Sequence, residues 1–175
     1  NLCYRNEAGG IVVYRDEEKA PDRRSSGISI LNNTVYFPRD AGRWACAIQR
    51  QSRGVTVLNN ILYGGRYGAF AVGPHCRRGL VSDHNVVFNH GGQRKLGDAD
   101  RGWLYSGGEW RKAGFGANSR FENPDFAAPE DNNFRVQDGS PAVGLGTTSS
   151  PAVEEDIDGR RRPEDSITAG CYQQD

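Results

Sequence analysis

The sequence contains no methionine, only three histidines and four cysteines, and no excess of either charge: 22 Lys and Arg stand against 22 Asp and Glu in 175 residues. A neutral chain has no global field to attract nucleic acid, which is therefore not an expected partner. No apolar run approaches the roughly 18 residues of a membrane-spanning helix, so no membrane span is expected. Cys3, Cys46, Cys76 and Cys171 form no C-x-x-C pair and match no zinc spacing. They are expected to be buried thiols packed as small apolar groups, with a Cys76–Cys171 disulfide as the alternative, and no metal site is expected. The missing methionines include the initiator, so the sequence is expected to open inside its gene product. What the chain has in quantity is glycine (23) and asparagine (12), turn-forming residues in a length that suits one domain.

Those residues recur with a period. Asn1-Leu-Cys-Tyr, Asn33-Thr-Val-Tyr, Asn60-Ile-Leu-Tyr and Asn85-Val-Val-Phe align, with the later three anchors each preceded by a short β-prone run that opens on Gly27, Gly54 or Gly79. A third apolar run follows the first three anchors, at residues 10–14, 45–49 and 69–73. Three short strands per repeat of about 25 residues suit a coil that winds round a narrow core and stacks on the next coil about 4.8 Å away. A β-sandwich is the architectural rival. Alternation points Ile28, Ile30, Val55, Val57 and Leu80 inward, then Cys3, Val35, Leu62 and Val87, then Ile11, Val13, Cys46, Ile48, Phe70 and Val72. The stacked anchors Asn33, Asn60 and Asn85 are expected to form a ladder. Residues 90–120, rich in glycine and aromatics, break the pattern. Prolines 124, 129, 141 and 151 then divide an extended tail or cap over 121–175. Arg160, Arg161 and Arg162 are expected to lie on a solvated turn.

The repeats resemble the right-handed parallel β-helix proteins of the pectate-lyase-like superfamily. The tail runs Phe121-Glu-Asn-Pro-Asp-Phe126, Asn133-Phe-Arg-Val136, Gly139-Ser-Pro-Ala142, Asp156-Ile-Asp-Gly-Arg160 and Ala169-Gly170, and is similar to the usual ending of such chains. The resemblance implies an all-β solenoid with three short strands per coil over 1–89, an excursion over 90–120, and a tail packed along the coils. It implies a secreted, cell-surface or periplasmic protein acting on an acidic polysaccharide by β-elimination. Calcium is implied by the resemblance alone. A non-catalytic carbohydrate-binding or adhesive β-helix is the alternative, as is the C-terminal part of an enzyme whose catalytic coils lie upstream. Preceding coils of the same gene product are the expected partner of the first coil, whose Leu2, Cys3, Ile11 and Val13 would otherwise be bare.

The substrate groove of such proteins runs along one sheet, here the one built from 10–14, 45–49 and 69–73. Its expected outward residues, Gly10, Val12, Tyr14, Ala45, Ala47, Gln49, Ala69, Ala71 and Gly73, include no carboxylate pair for hydrolysis and no acidic cluster for calcium. The rims are basic. Arg15, Arg50, Arg77, Trp44 and Gln49 are the expected substrate-binding residues, since guanidinium groups clasp carboxylates and an indole offers a flat apolar face. A uronate lyase also needs a cation on the carboxylate and a base for the C5 proton, and Arg43, Arg50, His75 and Tyr14 are the catalytic candidates. Asp83 and His84 are read as turn residues that satisfy backbone groups, with a catalytic dyad as the alternative. Tyr4, Tyr36, Tyr63 and Phe88 form an aromatic ladder, which the tail is expected to cover with Phe121, Phe126 and Phe134; a sugar-stacking platform is the alternative.

Overall fold

The computed structural model describes residues 1–14, 25–38, 40–90, 96–98, 102–149 and 151–174. The first repeat supplies β1 (Leu2–Tyr4), β2 (Ile11–Val13) and β3 (Ser26–Leu31). The second supplies β4 (Thr34–Tyr36), β5 (Trp44–Ile48) and β6 (Arg53–Leu58), and the third β7 (Ile61–Gly64), β8 (Gly68–Val72) and β9 (Val81–Asp83). The fourth begins with β10 (Val86–Asn89) and β11 (Leu96–Asp98). Strands of the same kind pair in parallel, giving sheets β1-β4-β7-β10, β2-β5-β8-β11 and β3-β6-β9. The protein is thus almost wholly β, with its parallel sheets visited in rotation, an arrangement compatible with a β-helix. β12 (Gly102–Leu104) turns back antiparallel on β11. Residues 96–98, expected to leave the coils, instead continue the second sheet.

Register follows the sequence repeat. Cys3, Val35, Leu62 and Val87 stack in one column, and Ile11, Cys46, Phe70 and Leu96 in another. Every residue expected to point inward belongs to one apolar cluster or packs against it. Alternation fails at the start of the second sheet: Ala45 and Ala69, expected outward, are buried in that cluster. Gly10 also faces in, since a Cβ there would lie 2.4 Å from Val35 Cγ1. Glycine and alanine let the backbone come close to the core at this corner, so consecutive residues such as Ala45 and Cys46 both face in.

One short helix, α1 (Gly107–Lys112), starts from a capping box in which Ser106 and Glu109 satisfy each other's backbone N–H groups. It lays Trp110 on Phe70 at 5.3 Å and adds Phe115 and Phe121 to the main core. Phe121, expected over the aromatic ladder, is therefore part of this cap. The ladder is covered by a hairpin of β13 (Phe126–Ala128) and β14 (Asn133–Val136). Phe134 lies 4.9 Å from Tyr4 and 5.0 Å from Tyr36, and Phe126 lies 5.8 Å from both Tyr36 and Tyr63. All four cysteines are free, so the alternative Cys76–Cys171 bridge is not formed. Burial pushes the Cys46 thiol up to about 12, which makes it a packing group rather than a nucleophile.

Candidate glycan-binding cleft

The outward row of the second sheet shrinks from strand to strand. Val12, Ala47, Ala71 and Gly97 are neighbours in register across β2, β5, β8 and β11. Trp103 stands directly opposite Gly97 across the antiparallel β11–β12 pair, and residues so opposed share a face. Trp44, from the start of β5, reaches the same place: a Cβ on Gly97 would lie 3.0 Å from Trp44 Cη2. The two indoles stack at 5.3 Å and 19°, and Tyr67 stands 6.5 Å from Trp44. Trp103 remains about half exposed, at 52%.

This aromatic wall borders a cleft of about 350 Å³ whose other lining residues include Gln49, Ala71, Gly73 and Gly102. Among the described residues, no ionisable side chain lines it. A flat apolar wall, a small-residue floor and a single amide at the edge suit a ligand with one apolar face and hydrogen-bonding groups round its rim. The indole–indole spacing leaves no slot for a ring between them, so a ligand would rest against the exposed face of Trp103.

Of the residues expected to form the site, Trp44 and Gln49 come together here. Arg50 and His75 are exposed and lie just past the cleft-lining Gln49 and Gly73, each with a left-handed backbone (φ +51° and +60°) on a turn closed by hydrogen bonds from Ser52 and Cys76. Arg43 is exposed beside Trp44, with its backbone bonded to Ala8 and Tyr67. Arg77 is drawn away, donating to the Ala113 carbonyl and lying 5.1 Å from the Phe115 ring, so it belongs to the cap. Tyr14 borders a different cavity, beside Ile11 and Ile28 in the first coil. Arg15 lies outside the described residues. Trp103, Gly97 and Gly102 lie outside the site expected from the sequence, since nothing in the repeat pattern marks a returning antiparallel strand.

Asp83 and His84 join the coils to the tail. Burial favours the neutral Asp83 carboxyl, but backbone and side-chain donors of Asn118 and the His84 N–H outweigh it and hold the group below the ordinary aspartate range. His84 Nδ1 donates to the Leu145 carbonyl at 2.8 Å. Among the described residues, no group of three or more carboxylate, imidazole or thiol ligands is assembled, so the side chains present do not fit calcium. No helix of the described residues is long and apolar enough to cross a membrane.

Fold and site together define a parallel all-β protein with an aromatic cleft on one sheet that no ionisable side chain lines among the described residues. No protein-family profile matches the chain, and neither a curated protein nor a solved structure shows significant similarity to it.

Proposed function

We propose that this chain is a right-handed parallel β-helix of the pectate-lyase-like kind that binds a polysaccharide outside the cytoplasm, with one sugar ring resting on Trp103. The stacked Trp44–Trp103 pair over Gly97 carries this reading. Stacking on Trp44 holds Trp103 in place before a ligand arrives, which lowers the entropy cost of binding. Gln49 supplies a donor and an acceptor for sugar hydroxyls. Arg50 on an adjoining turn favours an acidic chain over a neutral one, through charge that salt screens, and His75 on the other turn offers a ring nitrogen for hydrogen bonding.

Trp103→Ala should lower affinity for polygalacturonate at least tenfold, about 1.4 kcal/mol, in a calorimetric titration. The melting temperature should move little, because the ring is half exposed. Unchanged affinity in that variant would remove the cleft from the binding surface. β-Elimination is the second reading, favoured by the Arg50 and His75 turns. In it the C5 proton leaves to a base, the C4–O bond breaks, a C4–C5 double bond forms, and the departing oxygen leaves on the released sugar chain and takes a proton from an acid or water. A rise in ultraviolet absorbance on mixing with polygalacturonate would report that product; a flat trace with retained binding assigns the protein to binding alone.

A further inference from the structure

Where the tail crosses the turns between β3 and β4 and between β6 and β7, two asparagines hold left-handed backbone, Asn32 (φ +52°) and Asn59 (φ +60°). Asn59 is fully used: its amide donates to the Thr147 carbonyl at 2.7 Å, accepts from the Thr147 N–H at 3.0 Å, and leans on Asn32 Oδ1 at 3.5 Å. Asn32 is 4% exposed, and its Nδ2 has no partner. The tail brings a second such group. Arg162 is 5% exposed; its Nη1 and Nη2 donate to the carbonyls of Thr168 and Gly170, and its Nε has no partner. Of the triplet expected on a solvated turn, Arg160 and Arg161 are exposed and Arg162 is buried.

Both orphaned donors belong to residues lining one cavity of about 160 Å³, bordered also by Thr147, Thr148 and Ser149. An unsatisfied buried N–H bears its full desolvation cost, and a buried guanidinium is costlier still unless a counter-charge meets it. Asp156 attracts Arg162 but spends its oxygens on the N–H groups of Asp158, Arg160 and Gln173. Burial accordingly pulls Arg162 below the ordinary arginine range, with Asp156 and Cys171 offsetting it in part. Glu154 and Glu164 border the cavity but are exposed, as is Arg161. With about 30 Å³ per water, the space suits a small polyatomic ion.

We propose that this cavity binds a small oxyanion, accepting from Asn32 Nδ2 and Arg162 Nε and pinning the tail to the coils. Sulfate or a sugar carboxylate would present the same acceptor oxygens. The site is separate from the Trp103 cleft and stands or falls independently of it.

The test is the melting temperature of the full chain in sodium sulfate, and separately in sodium galacturonate, each against sodium chloride at equal ionic strength. A ligand held by the native state raises melting in proportion to the logarithm of its concentration. Sulfate also stabilises folded proteins by exclusion from their surface, so a rise in sulfate that Asn32→Asp loses assigns the site to an inorganic anion; a rise in galacturonate at lower concentration that the variant likewise loses assigns it to a sugar acid. Asn32→Asp keeps the side-chain shape and the left-handed backbone, which Asn and Asp both tolerate, while replacing the free donor by a negative acceptor. It should weaken the anion response at least tenfold and leave melting in chloride equal or higher. No rise with either anion overturns the proposal. So does an equal rise in Asn32→Asp, or a crystal grown in sulfate whose cavity holds only water.

Discussion

Replacing Asn60 by alanine tests whether the stacked asparagines hold the coils in register. The side chain is 0% exposed. Its Oδ1 accepts from both the backbone N–H and the Nδ2 of Asn33 at 2.9 Å, and the two hydrogens of its Nδ2 are shared among three oxygens at 2.9 Å, Ile30 O, Leu58 O and Asn85 Oδ1. After truncation, Asn33 Nδ2 keeps the Leu31 carbonyl and Asn85 Oδ1 keeps the Asn60 N–H. The Asn33 N–H loses its partner, which costs about 1–3 kcal/mol for an orphaned buried donor. Two carbonyls also lose a donor, each at the lower end of a net hydrogen bond, about 0.5 kcal/mol. The sum is about 2–4 kcal/mol, a large share of a typical domain's 5–15 kcal/mol. No backbone strain enters, because Asn60 does not have positive φ. Urea unfolding should show a lower midpoint at unchanged slope. A loss below about 0.5 kcal/mol, the value for one weak net hydrogen bond, would mean that water replaces the ladder at no cost and that register rests on apolar packing alone.

Removing residues 121–175 should expose Tyr36, Tyr63 and Ile61, which now pack under Phe126 and Phe134; the product should bind a hydrophobic dye or aggregate, and a soluble, dye-silent product would contradict the cover. Gly170→Ala should destabilise by about 1–3 kcal/mol, since φ is +99° and a Cβ would lie 2.7 Å from Thr34 Oγ1; chemical denaturation measures it. Burial would raise the Asp156 carboxyl, but the N–H groups of Gln173, Arg160 and Asp158 outweigh it and hold the group below 3.8. Its contribution is therefore present above the unfolded-state value and lost as pH falls through the lower folded-state one. Asp156→Asn should flatten the acid side of the melting profile below about pH 4, and a profile parallel to the wild type would show that other carboxylates set it.

The coil core was legible because it is a local pattern repeated. Val35 and Leu62 share a parity within their strands, and parallel stacking places like on like, so a strand-by-strand reading transfers from coil to coil. The asparagine anchors were legible for the same reason: an amide that donates and accepts can bond its own kind at every level. The reading fails where a contact joins the coils to a segment outside the repeat. Ser119 ends the ladder by accepting from the Asn85 N–H at 3.1 Å, from 34 residues away. The Cys171 N–H meets Thr34 Oγ1 across 137 residues. No periodicity specifies such a pairing. Trp103 belongs to the same class: its place beside Trp44 follows from β12 turning back on β11, and only that reversal brings the two indoles onto one face. Arg162 is the sharpest instance, for a basic triplet in sequence looks like solvated charge. What buries its third member is the pair of carbonyls at Thr168 and Gly170, supplied by chain that must first close over it. The candidate sites lie where the tail and the returning strand meet the coils, because the repeat satisfies its own polar groups and leaves few over.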